Sequence, residues 1–308
     1  MEKTVFLFSG QGSQYPKMAE ELIAASPKAE EVFVCASDVL GFDLKEICLN
    51  GSAEELAKTQ VAQPAIMATS LAALVCVGEK GIDASAVAGH SLGEYAAMVA
   101  SGMLGMEDGF KLIKARAAAT GRCAEHQDGA MAAIMGLSAE EVANVCKETS
   151  GYVVPVNYNS SAQTVIAGER AAVSEASETF VAMGKRAIPL AVSAAFHSKL
   201  MQPAADEFYA EAKKFVFVTP KLDFYANLTG KQLTEFSDMA EYLAKHIVSP
   251  VRFTSELAEL EKDWYVNYLE LGPGKVLTGL VKKTLKGANA LNVENSKTLE
   301  KASEILTK

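Results

Sequence analysis

The sequence predicts an α/β protein with a mainly parallel sheet and a compact inserted subdomain. Short apolar segments alternate with helix-length segments over most of the 308 residues, which is the pattern of parallel βαβ units. Hydrophobic residues make up 49% of the chain and charged residues 22%, so the chain can build a large core. The order of the elements changes near the middle of the chain, which indicates an insertion within a larger body.

The first part of the chain alternates strands with helices. An apolar strand at 4–8 runs into a glycine-containing loop at 9–14, and a second strand at 83–89 is followed by a helix at 92–101. Helical patterns predict further helices at 17–25, between 29 and 56, at 64–80 and at 107–122. Strands and helices that alternate in this way form a mainly parallel sheet.

The middle of the chain has a different order of elements. Ser138 and Glu141 form a capping-box pattern at the start of one helix, over 138–149. The predicted order is strand 130–136, this helix, strands 152–158 and 164–167, helix 169–184 and strand 186–192. This β-α-β-β-α-β order is the ferredoxin-like pattern. We therefore expect a body of residues 1–126 and 195–308 and a ferredoxin-like insertion of residues 127–194.

The last part of the chain returns to the pattern of the body. A long amphipathic helix is expected at 199–215, and a helix at 238–247 ends before Pro250, as proline requires. A strand at 264–271 then turns at Gly272-Pro273-Gly274 into a helix at 276–285. Both features fit the α/β class.

Charge and the amino-terminal segment limit the function classes. The chain has 29 Lys and Arg against 38 Asp and Glu, a formal net charge of −9. This balance argues against broad contact with nucleic acid or an anionic membrane, which both attract basic surfaces. The first eight residues lack the apolar region of a signal peptide, and the apolar stretch at 65–77 is short and carries two hydroxyl residues. We therefore expect a cytoplasmic protein without a membrane span.

Cysteines and histidines give no support for a metal or a disulfide framework. The five cysteines are odd in number and form no C-x-x-C pair. The four histidines show none of the spacings that are typical of zinc sites. We therefore expect no catalytic metal.

The strongest motif for chemistry is Gly89-His90-Ser91-Leu92-Gly93, a G-x-S-x-G. It follows a predicted strand and precedes a predicted helix, which is the context of a nucleophile elbow. Small residues allow the sharp turn that exposes the serine hydroxyl, and unpaired N–H groups at the start of the helix can stabilise an oxyanion. The pattern predicts Ser91 as a nucleophile; an idle serine in a glycine-bracketed turn is the alternative.

A serine hydroxyl needs a base within hydrogen-bond reach. His90 adjoins Ser91, but the turn points neighbouring side chains in different directions, and His126 lies in a polar stretch typical of a surface. His197 lies in a non-helical joint after a strand, where α/β proteins often place catalytic groups. His246 lies near the end of a predicted helix, where a cation is favoured for structural reasons alone. The residues favour His197 and leave His246 open.

Two other segments are candidates for the same site. The Gly10-Gln11-Gly12 loop follows the first strand and could bring a second backbone N–H to an oxyanion, although a plain turn is equally consistent. Arg116 lies between two alanines on a predicted helix. It is either a surface cation or a planar fork for a carboxylate, and composition alone favours the surface.

Taken together, these segments resemble a known family, the malonyl-CoA:acyl carrier protein transacylases of bacterial fatty-acid synthesis. The resemblance covers essentially the whole chain and implies an α/β-hydrolase-like body with a ferredoxin-like insertion. It rests on motifs in the expected order: Gly10-Gln11-Gly12-Ser13-Gln14, Gly89-His90-Ser91-Leu92-Gly93-Glu94, Arg116, Ala195-Phe196-His197-Ser198, Ser249-Pro250-Val251 and Gly272-Pro273-Gly274-Lys275.

The resemblance implies a ping-pong transfer of malonyl from malonyl-CoA to the phosphopantetheine thiol of holo acyl carrier protein. Ser91 would form the malonyl ester with His197 as its base. Gln11 and Leu92 would supply the oxyanion N–H groups, and Arg116 would bind the malonyl carboxylate. No cofactor is implied, because the coenzyme A thioester is a substrate.

Two further residues take roles from the resemblance. The main-chain carbonyl of His246 would orient His197, at a position where glutamine is common in the family. Phe196 would line the substrate pocket and disfavour a 2-methyl branch. Ser161-Ala162 departs from the Pro-Gly that relatives often have, which affects the shape of that loop.

The sequence leaves other functions open. A stand-alone acyltransferase serving a polyketide synthase would share every motif and differ in its carrier protein. A hydrolase that strips acyl groups from carriers is disfavoured by Arg116, and a non-enzymatic scaffold by the complete set of site residues. We expect a monomer, because no long apolar heptad or exposed strand is evident.

Overall fold

The computed structural model describes residues 2–192 and 194–307, and its strands form two separate sheets. The strands are β1 (Lys3–Phe8), β2 (Ala86–Gly89), β3 (Gly129–Met135), β4 (Val153–Ser160), β5 (Gln163–Glu169), β6 (Arg186–Pro189), β7 (Asp223–Ala226), β8 (Lys231–Gln232), β9 (Tyr265–Leu271) and β10 (Asn289–Val293).

Helices surround these strands, and a 3-10 turn covers Lys199–Met201. The α-helices are α1 (Glu20–Ala25), α2 (Pro27–Leu40), α3 (Leu44–Asn50), α4 (Ala53–Ala57), α5 (Thr59–Glu79), α6 (Gly93–Ala100), α7 (Met106–Glu125), α8 (Ala139–Glu148), α9 (Arg170–Ala182), α10 (Gln202–Ala212), α11 (Met239–Ile247), α12 (Phe253–Lys262), α13 (Val276–Thr284) and α14 (Ser296–Leu306).

The larger sheet has the strand order β10-β9-β1-β2-β7-β8. Its strands pair in parallel except for the short β8, which pairs antiparallel with β7 at the edge. Both faces are covered: Phe6 and Phe8 of β1 pack into one core, and Val5 and Leu7 pack into another on the opposite face. The mainly parallel α/β class that the sequence predicts is therefore confirmed.

The smaller sheet is antiparallel throughout, with the order β4-β5-β3-β6. Helices α8 and α9 pack on it through a core that includes Ile134, Val142 and Phe180. Ser138 and Glu141 form the predicted capping box at the start of α8. The β-α-β-β-α-β order confirms the ferredoxin-like pattern, while the exact division at 126/127 and 194/195 stays a prediction.

The smaller sheet meets the body beside the end of α11. The backbone N–H of Tyr158 donates to Val251 O at 2.9 Å, and the N–H of Val251 donates to Val156 O at 2.8 Å. These bonds form an isolated parallel bridge between β4 and the segment that follows Pro250. The bridge fixes that segment, which also contributes to the site described below.

Several elements differ from the sequence expectation. Helix α1 starts only at Glu20, because Lys17 and Ala19 both adopt a left-handed backbone with φ of 69°. The predicted helical stretch at 29–56 is divided into three helices, since Gly41 at φ 83° ends α2 and Ser52 caps α4. The short strands β7, β8 and β10 and the helices α12 and α14 were not predicted.

Helix α5 is the longest apolar element. The sequence pattern predicts its start at Pro64, but the helix begins five residues earlier, at Thr59. By length and composition it could cross a membrane, but 83% of its most apolar window is buried inside the fold. It packs against α2 and α7, as a core helix does.

Candidate active site

Ser91 lies in the tight turn between β2 and α6, with a left-handed φ of 56°. A Cβ atom on Gly89 would lie 2.1 Å from the carbonyl carbon of Gly93, and one on Gly93 would lie 2.1 Å from Phe8 O. Both separations are far below a van der Waals contact, so only glycine fits on either side of the serine. The two glycines of the motif therefore exist to let α6 begin directly against β1 and β2.

The Ser91 hydroxyl is hydrogen-bonded to the imidazole of His197. The Oγ–Nε2 distance is 2.7 Å, and His197 is only 4% exposed, in a left-handed conformation with φ of 63°. Its Nδ1 lies 3.1 Å from His246 O and 3.0 Å from Ser249 O. Both carbonyls can only accept, so the proton resides on Nδ1 and Nε2 accepts from the serine.

The surroundings keep His197 neutral. Burial is the main cause that lowers its pKa to about 3, and the positive charge of Arg116 lowers it further. Hydrogen bonds to the two carbonyls act in the opposite direction but are weaker. At neutral pH the imidazole is therefore unprotonated, as a general base must be.

Arg116 of α7 is buried, at 3% exposure, and its Nη2 donates to Ser91 Oγ at 3.3 Å. Its guanidinium carbon lies 5.4 Å from the centre of the Tyr95 ring. Within residues 2–192 and 194–307 its Nε has no hydrogen-bond partner and it forms no ion pair, whereas Arg122 and Arg170 pair with carboxylates at the surface. The site thus contains a buried cation without an ion-pair partner among the described residues, and the buried carboxyl of Glu94 is the nearby acidic group that acts on its charge.

The loop after β1 lies against the nucleophile turn. A Cβ atom on Gly10 would lie 2.6 Å from His90 O, so the close approach requires glycine. Among the described residues, the backbone N–H groups of Gln11 and Leu92 donate to no protein acceptor. The Gln11 side chain accepts from Gln63 Nε2 at 3.4 Å. Two backbone donors are therefore left over on the loop and the turn that carry the site.

The remaining sequence candidates occupy distinct places. Phe196, directly before His197, is half-buried and packs against the cores of both parts of the molecule. His90 Nε2 is hydrogen-bonded to Asn159 Oδ1 at 2.8 Å, and exposed His126 is bonded to the carbonyl of Arg122. Neither of these two imidazoles is hydrogen-bonded to Ser91 in the described part of the chain.

Beneath the turn lies a buried polar network that the sequence reasoning missed. The carboxyl of Glu94 accepts from the backbone N–H of Asn227 at 2.6 Å and from Tyr242 Oη at 2.9 Å. Burial raises the pKa of Glu94 to about 8. His246 Nε2 lies 3.2 Å from Asn227 Oδ1, and Glu256 accepts from Asn227 Nδ2 at 2.7 Å.

Sequence signals for this network were weak. Glu94 directly follows the G-x-S-x-G motif on a helix that otherwise reads as apolar, which was the one available sign. Asn227 follows β7, a strand of four residues that the pattern did not reveal. Ser249, whose carbonyl is the second acceptor for His197, was noted only as part of a motif.

No group of three or more His, Cys, Asp or Glu side chains able to hold a metal ion occurs in the part of the chain that the structure describes.

A serine on a strand–turn–helix elbow, paired with a histidine and flanked by spare backbone N–H groups, is typical of acyl-transfer enzymes. The model of the acyl transferase domain family matches residues 5–302. The chain therefore belongs to the acyl transferase domain family.

Similar proteins within this family point to a narrower class of acyltransferase. The malonyl CoA-acyl carrier protein transacylase of Bacillus subtilis is 38% identical over 310 residues, which cover 99% of this chain and 98% of the relative. That of Escherichia coli K12 is 40% identical over 298 residues, with 95% and 96% covered. The family resemblance that the motifs indicated is confirmed.

Solved structures give the same result. The malonyl CoA-acyl carrier protein transacylase of Clostridium perfringens superposes with a TM-score of 0.94 at 36% identity, covering 99% of this chain and 97% of that one. A malonyl-transacylase in complex with a type II polyketide synthase acyl-carrier protein also gives 0.94, at 38% identity, with 98% and 99% covered. The similarity extends over the body and the smaller sheet together.

Proposed function

We propose that this acyltransferase moves the malonyl group of malonyl-CoA to the phosphopantetheine thiol of acyl carrier protein, through a malonyl ester on Ser91. One observation carries the proposal: a nucleophile, a base and a buried cation converge on a single oxygen atom. Ser91 Oγ lies 2.7 Å from His197 Nε2 and 3.3 Å from Arg116 Nη2. The reaction would supply extender units for fatty-acid synthesis.

In the first half-reaction, Ser91 Oγ bonds to the thioester carbonyl carbon while its proton moves to His197 Nε2. The carbon–sulfur bond then breaks, and the imidazolium returns that proton to the departing coenzyme A thiolate. In the second half-reaction, the carrier thiol gives its proton to His197 and attacks the ester. The serine leaves as the alcohol, so the enzyme is regenerated with no net change.

The backbone N–H groups of Gln11 and Leu92 are proposed to bind the oxyanion of both tetrahedral intermediates. Support comes from their position on two contacting loops and from the lack of a protein acceptor for either N–H among the described residues. One such donor contributes about 3–4 kcal/mol of transition-state stabilisation.

Arg116 is proposed to bind the malonyl carboxylate. The buried guanidinium forms no ion pair among the described residues, and a carboxylate placed there would supply a direct partner. A planar fork fits a carboxylate with two parallel hydrogen bonds, which acetyl cannot make. Half-buried Phe196 is proposed to limit the pocket beside the carbon that bears this carboxylate.

The carbonyls of His246 and Ser249 are proposed to act in place of a triad carboxylate. They lie 3.1 Å and 3.0 Å from His197 Nδ1, so they fix the tautomer and stabilise the imidazolium that forms during the reaction. A carbonyl does this whatever side chain its residue bears, which accounts for a histidine at position 246.

The remaining expectations form part of the same proposal. The chemistry uses protein groups, one thioester substrate and one thiol substrate, so it needs neither a cofactor nor a metal. We propose a monomer in the cytoplasm that binds malonyl-CoA and holo acyl carrier protein and neither nucleic acid nor membrane. The proposed division is a catalytic body of 1–126 and 195–308 with an insertion of 127–194.

A second candidate function is the supply of malonyl to a polyketide synthase carrier. The similarity to a malonyl-transacylase in complex with a type II polyketide synthase carrier favours it, at 38% identity and a TM-score of 0.94. Transfer rates to carriers of the two kinds separate these candidates, because the chemistry at Ser91 would be the same.

Intact-protein mass spectrometry tests the proposal. Malonyl-CoA should add one malonyl group, peptide mapping should place it on Ser91, and holo acyl carrier protein should remove it. A label on another residue, or no label, would overturn the mechanism. A label that water removes as fast as the carrier does would indicate a hydrolase.

A further inference from the structure

Asn227, a fully buried residue directly after β7, contacts the nucleophile turn on both sides. Its side-chain Nδ2 donates to Gly89 O at 2.6 Å, and its Oδ1 accepts from the backbone N–H of Ser91 at 2.7 Å. A single amide group therefore bridges the last residue of β2 and the serine itself. Within the turn the amide bonds to backbone atoms, and it makes no contact with Ser91 Oγ among those the structure gives.

The turn needs such support because its backbone conformation is energetically unfavourable. Ser91 has a left-handed φ of 56°, which costs a residue other than glycine roughly 1–2 kcal/mol. Strained backbones of this kind persist where the surroundings fix them more than once. The amide of Asn227 does so, and it also satisfies a carbonyl and an N–H that the turn leaves without secondary-structure partners.

The orientation of this amide is itself fixed. Nδ2 makes a second hydrogen bond to Glu256 Oε1 at 2.7 Å, and Oδ1 lies 3.2 Å from His246 Nε2. The backbone N–H of Asn227 donates to Glu94 Oε1 at 2.6 Å. Both donors and both acceptor positions of the amide are in use. A flipped amide would direct its NH2 group at the N–H of Ser91, so only one orientation is compatible with the turn.

We propose that Asn227 is a positioning residue for the acyl transfer: its amide holds the Gly89–Ser91 turn in the geometry that keeps Ser91 Oγ within hydrogen-bond reach of His197. It acts through the backbone and does not touch the substrate. The proposal rests on the proposed function of Ser91. It predicts a loss in the rate of the chemical step and not in substrate binding, because Asn227 does not contact Arg116.

The first test compares Asn227→Ala with Asn267→Ala in single-turnover acylation by malonyl-CoA. Asn267 is the matched control, since it is a buried asparagine of the same sheet, 2.9 Å from Asn289 Nδ2 and remote from the turn. Asn227→Ala should lower the acylation rate about 10- to 100-fold, because small misplacements of a reacting group have effects of this size. The substrate concentration for half-maximal rate should change by less than about twofold.

The second test uses Asn227→Asp and the dependence of its acylation rate on pH. A protonated aspartic acid can still donate toward Gly89 O and accept from Ser91 N–H, whereas the ionised form has no donor for the carbonyl. Facing groups are Glu94 of α6, Tyr242 and His246 of α11, and Glu256 of α12. Activity should therefore fall as pH rises through the pKa of the new carboxyl.

This second comparison is made on one folded preparation, so it decides the question even if Asn227→Ala cannot be purified. The wild-type enzyme and Asn267→Ala should show no such loss toward high pH. A flat profile for Asn227→Asp, or an Asn227→Ala enzyme no slower than Asn267→Ala, would overturn the proposal.

Hydrolysis of an activated phenyl ester separates the two proposals. If wild-type protein reacts with the ester at Ser91 but takes no malonyl, the proposed function fails and the positioning role can still be measured with the ester. If the wild type forms the malonyl ester and Asn227→Ala forms it equally fast, the positioning role alone is wrong.

Discussion

The two sides of the site differ in how completely their polar atoms are paired. On the reacting side, Ser91 Oγ and both nitrogens of His197 have partners at 2.7–3.1 Å, supplied by fixed backbone and buried side chains. On the opposite side, Arg116 is equally buried, yet its Nε has no partner and its charge is not matched by an ion pair among the described residues.

This difference fits the two proposed roles, acyl transfer on one side and selection of the acyl group on the other. Reacting groups must be in position before the substrate binds, because preorganised groups stabilise the transition state without rearranging during the transfer. A group that selects the substrate should instead have unpaired hydrogen-bonding atoms or charge before binding. The ligand then neutralises a buried charge, which favours binding. Under the proposed function, burial of Arg116 lowers the folding stability, and binding of the malonyl carboxylate restores part of it.

The largest effect should come from the reacting side. Ser91→Ala removes the nucleophile, so malonyl transfer to carrier protein should fall by about 10⁶-fold, as for other serine nucleophiles. Ser101→Ala, which removes a buried hydroxyl bonded to Met98 O, is the matched control and should transfer at the wild-type rate. Covalent malonyl on the Ser91→Ala protein would show that the reacting side lies elsewhere.

Arg116→Met tests the selecting side and should separate activity from stability. Loss of the carboxylate contact should lower kcat/KM for malonyl-CoA about 10- to 100-fold and leave acetyl-CoA little changed. The melting temperature should rise, because an unmatched buried charge is replaced by an apolar side chain of similar length.

Arg122→Met is the control, since that arginine lies on the same helix but pairs with Glu207 at the surface. Equal losses for malonyl-CoA and acetyl-CoA in Arg116→Met would mean that Arg116 serves the reaction and not the selection.

A pH profile measures how the two sides influence each other. Burial and the charge of Arg116 hold the pKa of His197 near 3, and a protonated imidazole cannot accept the serine proton. With acetyl-CoA, whose acyl group does not titrate, wild-type kcat/KM should stay level from about pH 8 down to about pH 5. In Arg116→Met the acid limb should move to higher pH, because one cause of the lowered pKa is removed. Identical acid limbs in the two proteins would show that the charge of Arg116 does not affect the pKa of His197.

The smallest effect should come from outside the site. Ser138→Ala breaks the capping box of α8 in the smaller sheet's layer, where Ser138 Oγ accepts from Glu141 N–H at 3.3 Å. Unfolding free energy should fall by about 1 kcal/mol and the melting temperature by about 2 °C. Malonyl transfer should be unchanged. Ser174→Ala on exposed α9 surface is the control for stability and should have no measurable effect.

The fold and the hydrogen-bonded pair of Ser91 and His197 were largely accessible from sequence, because both depend on local patterns. The G-x-S-x-G motif between a strand and a helix indicates a strained turn, and the structure shows why each glycine is required. The support for that turn was not accessible. Asn227 and Glu256 are separated from Ser91 by more than 130 residues. The pairing of β2 with β7 brings Asn227 to the turn, and Glu256 of α12 reaches it through its hydrogen bond to Asn227.

Burial was the other quantity that sequence could not supply. Arg116 stands between alanines on an amphipathic helix, and composition alone favoured the surface. The structure places it at 3% exposure, because α7 is packed on one side by α5 and on another by α10. That Arg116 forms no ion pair with a carboxylate of the described residues is likewise a property of the tertiary structure alone.

A competition for the serine tests most directly whether Arg116 selects the acyl group that Ser91 receives. Wild-type protein and Arg116→Met are mixed briefly with equal concentrations of malonyl-CoA and acetyl-CoA, and the acyl groups on Ser91 are identified by mass spectrometry. In the wild type nearly all of the acyl groups on Ser91 should be malonyl. In Arg116→Met most of the acyl groups on Ser91 should be acetyl. The same malonyl preference in both proteins, or acyl groups on another residue, would contradict the account.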